Sequence, residues 1–298
     1  MAEVEPEEPI RLSAAGTNFL NLDPLPARVI RAVVPLAEVR IIEGTPVPFP
    51  IGTDFAIAEA LEARQSLLVT ARHNITERTV KREADLMVLF PKKESVGTRR
   101  HDLQGSIVTG VSMADSLSDV ALLIVTMDED SARPSILNLG SEAPIVGANC
   151  LALGYSKMHL DEPVDLRAGA WIDLSTSRGR IERVHSSGRD RVMVNFPAFR
   201  TNARYASGMS GGPVIGESGR VIGVVSTCME LKDDESVPQT SYSALIGGIL
   251  ELRIPIAGDR ELSIPDLIVS GRVKMAGDDE TRITRADDKV RVTWMIGS

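Results

Sequence analysis

From Arg28 onward the chain is a succession of short apolar runs: "VIRAVVPL", "TDFAIAEAL", "SLLVTA", "DLMVLF", "SIVTGVSM", "VALLIVTM" and "CLALGY". Each has the length of a strand, and Gly, Pro, Asn or Asp breaks the pattern about every ten residues, as in all-β domains. A βαβ repeat would need longer stretches of helical period between the runs. A second set follows: "AWIDLSTS", "GRIERVHS", "RVMVNF", "GGPVIG" and "RVIGVVST". The segment Glu217-Ser218-Gly219 between the last two reads as a tight hairpin. The sets meet around Pro163, and together they predict two packed six-stranded antiparallel β-barrels. Only Ser241 to Leu252 reads as helix, with Leu245, Ile249 and Leu252 at helical spacing. Beyond it, "LIVSGRVKM" and "KVRVTWMIG" surround the charged loop "GDDETRITRADDK" and predict a β-rich C-terminal extension. The expected division is an acidic, irregular lead-in over 1–27, a first barrel over 28–162, a second barrel with its helix over 163–252, and the extension over 253–298. No internal sequence repeat is visible.

Composition narrows the functional classes. The chain has 298 residues, of which 43% are hydrophobic, enough for a large core. A net charge of -8, with basic residues dispersed among acids, excludes a broad nucleic-acid surface. The two cysteines, Cys150 and Cys228, are too few for a disulfide framework and suit a reducing compartment. The start "MAEVEPEEPI" has neither the basic nor the apolar region of a secretory signal, and "ALIGGIL" is too short to span a bilayer. The expectation is a cytoplasmic protein with no membrane and no nucleic-acid partner.

Candidate chemistry begins at "ASGMSGGPVIG", where Gly208, Ser210 and Gly212 satisfy G-x-S-x-G. In α/β-hydrolases this motif marks a strand-to-helix elbow, and the triad histidine follows the serine. Here His73, His101, His159 and His185 all precede Ser210, so that reading fails. The order His, Asp, Ser is met instead. "LLVTARHNI" places His73 directly after an apolar strand, and "SLSDVALLIV" places Asp119 at the head of another. His101 and Asp102 lie in a polar loop, His159 lies near the barrel junction and His185 ends a strand; all three histidines read as surface residues.

On "GTDFAI", "VTARH", "SDVALL", "GMSGGPV" and "VIGVVST", the stretch from Arg28 to Leu252 resembles the trypsin-like (chymotrypsin-fold, S1-type) serine proteases, in particular bacterial members without disulfides. The resemblance implies a serine endopeptidase acting on a protein or peptide without a cofactor or metal. Ser210 would be its nucleophile, His73 its general base and Asp119 the acid that orients the base. The amides of Gly208 and Ser210 would form the oxyanion hole, and Gly211 and Gly212 would let the two barrels approach behind the serine. The pocket would be lined by Arg204 at its base and by Ser226, Thr227 and Cys228 along one wall. Arg204 favours an acidic side chain, whereas the acidic loop "MELKDDESVP" favours basic partners, so the cleavage preference stays open. Secreted relatives carry an aspartate directly before the serine, to pair with a freshly cut N-terminus. Met209 stands there instead, which implies control by another route, such as the terminal extensions or a regulatory partner protein. Two other readings use the same fold: a catalytically silent scaffold that binds an extended peptide, and an esterase with the same triad.

Overall fold

The computed structural model describes residues 27–294 apart from 60–63, 76–78, 80–84, 94–102, 114–117, 161–169, 230–239, 257–259, 277–280 and 287–288. A short helix α1 (Ala27–Ala32) leads into β1 (Val33–Ile42), β2 (Thr45–Glu59), β3 (Gln65–Thr70), β4 (Asp85–Pro91), β5 (Leu103–Met113) and β6 (Ala121–Thr126). These close a barrel in the order β1-β2-β3-β6-β5-β4. After a two-residue strand β7 (Leu139–Gly140) come β8 (Asn149–Leu160), β9 (Ala170–His185), β10 (Ala198–Thr201), β11 (Pro213–Ile215), β12 (Val221–Met229) and β13 (Thr240–Leu245). They form the ring β8-β9-β10-β13-β12-β11, closed where Val214 pairs with Ala152. Both barrels therefore use one connection order, although no repeat is legible in the sequence.

The apolar runs do not alternate because both faces of many strands are buried. Ala56 of β2 turns into the first barrel with Val34, Leu36, Leu68, Phe90 and Leu123. Its neighbours Phe55 and Ile57 turn outward, into a core shared with Leu153, Val224 and Ala244 of the second barrel. Inside the second barrel lie Cys150, Ala152, Phe199, Tyr205, Met209 and Val225.

Several expectations are corrected. The barrel border does not fall near residue 162, because β8, which contains "CLALGY", pairs with β9 and β11. An apolar run states that a strand is buried but not which partner it meets. The helix expected over Ser241–Leu252 is β13 followed by a 3₁₀ turn over Ile246–Glu251. Ser241, Tyr242, Ser243 and Ala244 sit between β10 and β12 in the ladder, and tertiary pairing overrides the helical period there. "RVMVNF" is not a strand. The Asp190 carboxylate accepts the backbone N–H groups of Val192, Met193 and Val194 at 2.8, 2.7 and 3.3 Å, taking donors a ladder would use. The hairpin at Glu217–Gly219 is present, with Gly219 at φ 77° and Gly216 N–H bonded to the Arg220 carbonyl.

Part of the C-terminal region is integral to the core. After the hairpin of β14 (Arg253–Ile256) and β15 (Arg260–Ser263), helix α2 (Ile264–Val269) starts on a capping box between Ser263 and Asp266. Ile264, Leu267 and Val273 are buried in the core that joins the barrels. Strand β16 (Met275–Ala276) then pairs in parallel with β7, and β17 (Thr281–Ala286) and β18 (Lys289–Trp294) form a separate hairpin. Among the described residues, no helix is long and apolar enough to cross a membrane.

Candidate active site

β3 and β6 are neighbours, with Thr70 opposite Ala121, and this register brings His73 to Asp119. β3 ends at Thr70, and a 3₁₀ turn over Arg72–Asn74 carries His73 to the barrel rim. The His73 backbone N–H donates to Asp119 Oδ1 at 3.0 Å, and its ring Nδ1 lies 2.8 Å from Oδ2. Side-chain exposure is 46% for His73 and 8% for Asp119, so the acid is shielded while the ring reaches outward. A carboxylate facing Nδ1 fixes the proton there and leaves Nε2 able to accept one. A third donor, the Ser226 hydroxyl, meets Asp119 Oδ2 at 2.5 Å. Ser226 stood in the expected pocket wall, but its side chain is buried and serves the acid. Only the fold reveals this, because the pair is 107 residues apart.

Ser210 belongs to the second barrel, yet its loop is held by the first. Thr53 N–H and Asn74 Nδ2 donate to the Ser210 carbonyl at 2.8 and 3.0 Å, and the Thr53 hydroxyl donates to the Gly208 carbonyl at 2.8 Å. Within the loop, the amides of Met209, Gly211 and Gly212 are bonded to the carbonyls of Ala206, Val225 and Met209. The amides of Gly208 and Ser210 have no partner among the described residues. The Ser210 hydroxyl donates to the Ser226 carbonyl at 3.0 Å and not to His73.

Gly208 and Gly211 both have φ 90°. A Cβ on Gly211 would stand 2.1 Å from the Thr53 carbonyl oxygen, so this residue permits the first barrel to close on the serine. Gly212 differs from expectation: a Cβ there would meet the Leu153 carbonyl at 1.9 Å, a clash with β8 of its own barrel. Met209 is 0% exposed and fills the second-barrel core, with its Sδ accepting the Ala206 N–H at 3.3 Å. Apolar packing thus anchors the residue beside Ser210, where an ion pair is the alternative expected from the family. Met209→Ala should lower the unfolding free energy by about 2–5 kcal/mol and Met209→Leu by less than about 1.5 kcal/mol, read by urea denaturation.

The residues expected at the substrate pocket separate. Arg204 is exposed, between buried Ala203 and Tyr205. The Tyr205 hydroxyl is bonded to Ser243 Oγ at 2.6 Å, its N–H donates to Ser241 Oγ at 3.3 Å, and burial pushes its pKa up. Thr227 and Cys228 are partly exposed on β12. Neither cysteine forms a disulfide, and burial pushes the Cys150 thiol up. The acidic loop after β12, His101 and Asp102 lie outside the described residues, and of His159 only the backbone on β8 is described. His185 ends β9 at a partly exposed position. It is half-buried, 6.0 Å from the Tyr242 ring, and burial together with Arg183, Arg200 and Arg189 lowers its pKa. Among the described residues, no cluster of side chains could hold a metal ion.

No curated protein sequence matches the chain. Among solved structures it is similar to the active form of the Rv3671c protease from M. tuberculosis, at 20% identity over 83% of this chain and 91% of that one, with a TM-score of 0.51. It is also similar to Deg5, at 17% identity over 84% and 93% of the two chains, with a TM-score of 0.46. At such identities the likeness is one of fold. A model of the trypsin-like peptidase domain matches residues 32–224. That match spans both barrels from β1 into β12, and the chain belongs to the trypsin-like peptidase family.

Proposed function

We propose that the chain is a serine endopeptidase with Ser210 as nucleophile, His73 as general base and Asp119 as the residue that orients it. The supporting observation is the pair of uncommitted amides at Gly208 and Ser210 beside a His–Asp pair. Among the described residues, β11 accompanies β12 only as far as Val224, which leaves Ser226 and Thr227 an edge on which an extended peptide can add as a strand. Such a peptide competes for the Ser226 carbonyl and releases the Ser210 hydroxyl toward His73 Nε2.

Ser210 Oγ then attacks the scissile carbonyl carbon, and its proton passes to Nε2. Asp119 stabilises the resulting imidazolium through Nδ1–H, while the Gly208 and Ser210 amides hold the oxyanion. Collapse breaks the C–N bond as Nε2 returns the proton to the departing amine. Water, deprotonated by the same nitrogen, then frees the acid product and regenerates Ser210. The reading suits a reducing compartment such as the cytoplasm, given two cysteines outside any disulfide, and it leaves room for control by a partner protein.

A fluorophosphonate probe is expected to label the wild type and not Ser210→Ala. Wild-type protein that resists the probe at every pH and temperature tested rejects the proposal. The hydroxyl resting on the Ser226 carbonyl favours one alternative, a silent peptide-binding scaffold, which would bind peptides equally with or without Ser210 and cut none.

A further inference from the structure

Asp54 has no part in the chemistry above, yet it lies directly behind it. It follows Thr53, whose amide and hydroxyl hold the nucleophile loop. Two residues before Ala56, it shares the inner face of β2, and its ladder partner Val34 lines the same core. It is fully buried, and neither carboxyl oxygen has a partner at full hydrogen-bond geometry. Burial pushes its pKa well above the ordinary aspartate value, and the nearby Thr70 hydroxyl offsets this only in part. A neutral carboxylic acid differs from a carboxylate in having one O–H to donate.

The Thr70 hydroxyl can use that donor. Its own hydrogen goes to the Thr53 carbonyl at 2.9 Å, and it accepts from Asn74 Nδ2 at 3.0 Å. One lone pair remains. The same Asn74 amide reaches the Ser210 carbonyl. Resting on the peptidase reading, we propose that Asp54 is a positioning residue for Ser210: as a neutral acid it donates to Thr70 and so fixes the Thr70–Thr53–Asn74 network that clamps the nucleophile loop. Once ionised, the carboxylate can only accept. The Thr70 hydroxyl then turns toward it, and the Thr53 carbonyl loses its donor. Among the described residues, the titratable side chains on the surrounding elements are Glu38 and Arg40 on β1, Glu59 on β2, Asp85 on β4, Tyr155 on β8, Arg72 and His73 on the turn, and Asp119 ahead of β6; none hydrogen-bonds to Asp54.

Three substitutions test this. Asp54→Asn keeps a donor that cannot ionise, Asp54→Ala removes it, and Thr70→Val removes the shared hydroxyl while keeping its shape. Hydrogen exchange at the Thr53 amide, which is bonded to Ser210, needs no catalysis. It should speed up by about tenfold or more in Asp54→Ala and Thr70→Val and stay within about twofold of wild type in Asp54→Asn. The fluorophosphonate labelling rate should follow the same order. Its fall in the wild type as rising pH ionises Asp54 should be absent from Asp54→Asn. Unchanged Thr53 exchange in Thr70→Val, or Asp54→Asn behaving like Asp54→Ala, overturns the proposal. The expected exchange pattern without any labelling refutes the peptidase reading and leaves the clamp established.

Discussion

Replacing His73 with alanine should lower kcat/KM for a fluorogenic peptide by about 10⁴-fold or more, and Asp119→Asn should cost about 10⁴-fold. His73 is the only described histidine beside Ser210, so no neighbour can take over the proton. Asp119 accepts three donors: the His73 amide, the His73 ring and the Ser226 hydroxyl. In Asp119→Asn the side-chain NH₂ must face at least one of them. Where it faces the ring, it favours the tautomer that puts the proton on Nε2, the nitrogen that must accept. Ser226→Ala removes one of the three bonds and should cost far less, on the order of tenfold. The loss should fall on kcat and not on KM, because the peptide-binding edge of β12 is untouched. An equal loss in all three variants, or a loss confined to KM, contradicts the assigned roles.

The second large effect is structural. Gly211→Ala should destabilise the fold by about 3 kcal/mol or more and abolish labelling of Ser210. Two costs combine. At φ 90° an L-residue is strained, and the added Cβ would lie 2.1 Å from the Thr53 carbonyl and 2.4 Å from the Thr70 hydroxyl. Neither atom can retreat, since Thr53 also anchors the loop and Thr70 bonds to Thr53 and Asn74. Gly44→Ala separates the costs. Gly44 has φ 83° in the turn between β1 and β2, with nothing within 4 Å of an added Cβ. It should lose only the conformational part, about 1–2 kcal/mol, and keep the label. Urea unfolding and probe labelling of both variants check this. Equal destabilisation would mean that contact between the barrels at Gly211 contributes nothing.

His73, Asp119 and Ser210 could be picked out because each stands at the end of a buried strand or in a glycine-rich turn, features written in local sequence. What escaped depends on pairing across distance. The apolar run of β8 carries no mark of the barrel it joins. The Asp190 turn hides inside residues of high strand propensity, because one side chain captures three amides. Ser226 was assigned to the substrate through its place on a wall strand, while the acid it serves is far off in the chain. Asp54 gave a weaker signal still: an acid within an apolar run reads as an edge or turn residue until both faces of its strand are seen to be covered. The shared connection order of the barrels has no sequence counterpart, since different side chains fill the two cores.

The place of residues 264–276 bears on how the protein is made. Ile264, Leu267 and Val273 complete the core to which Phe55 and Leu122 contribute from one barrel and Leu153 and Val224 from the other. A chain leaving the ribosome therefore exposes His73, Asp119 and Ser210 well before it possesses the residues that lock the two barrels together. The proposed catalytic groups sit on opposite sides of that joint, so their alignment comes late in biosynthesis. For the proposed peptidase this order means that the site can be completed only after residues 264–276 have been made.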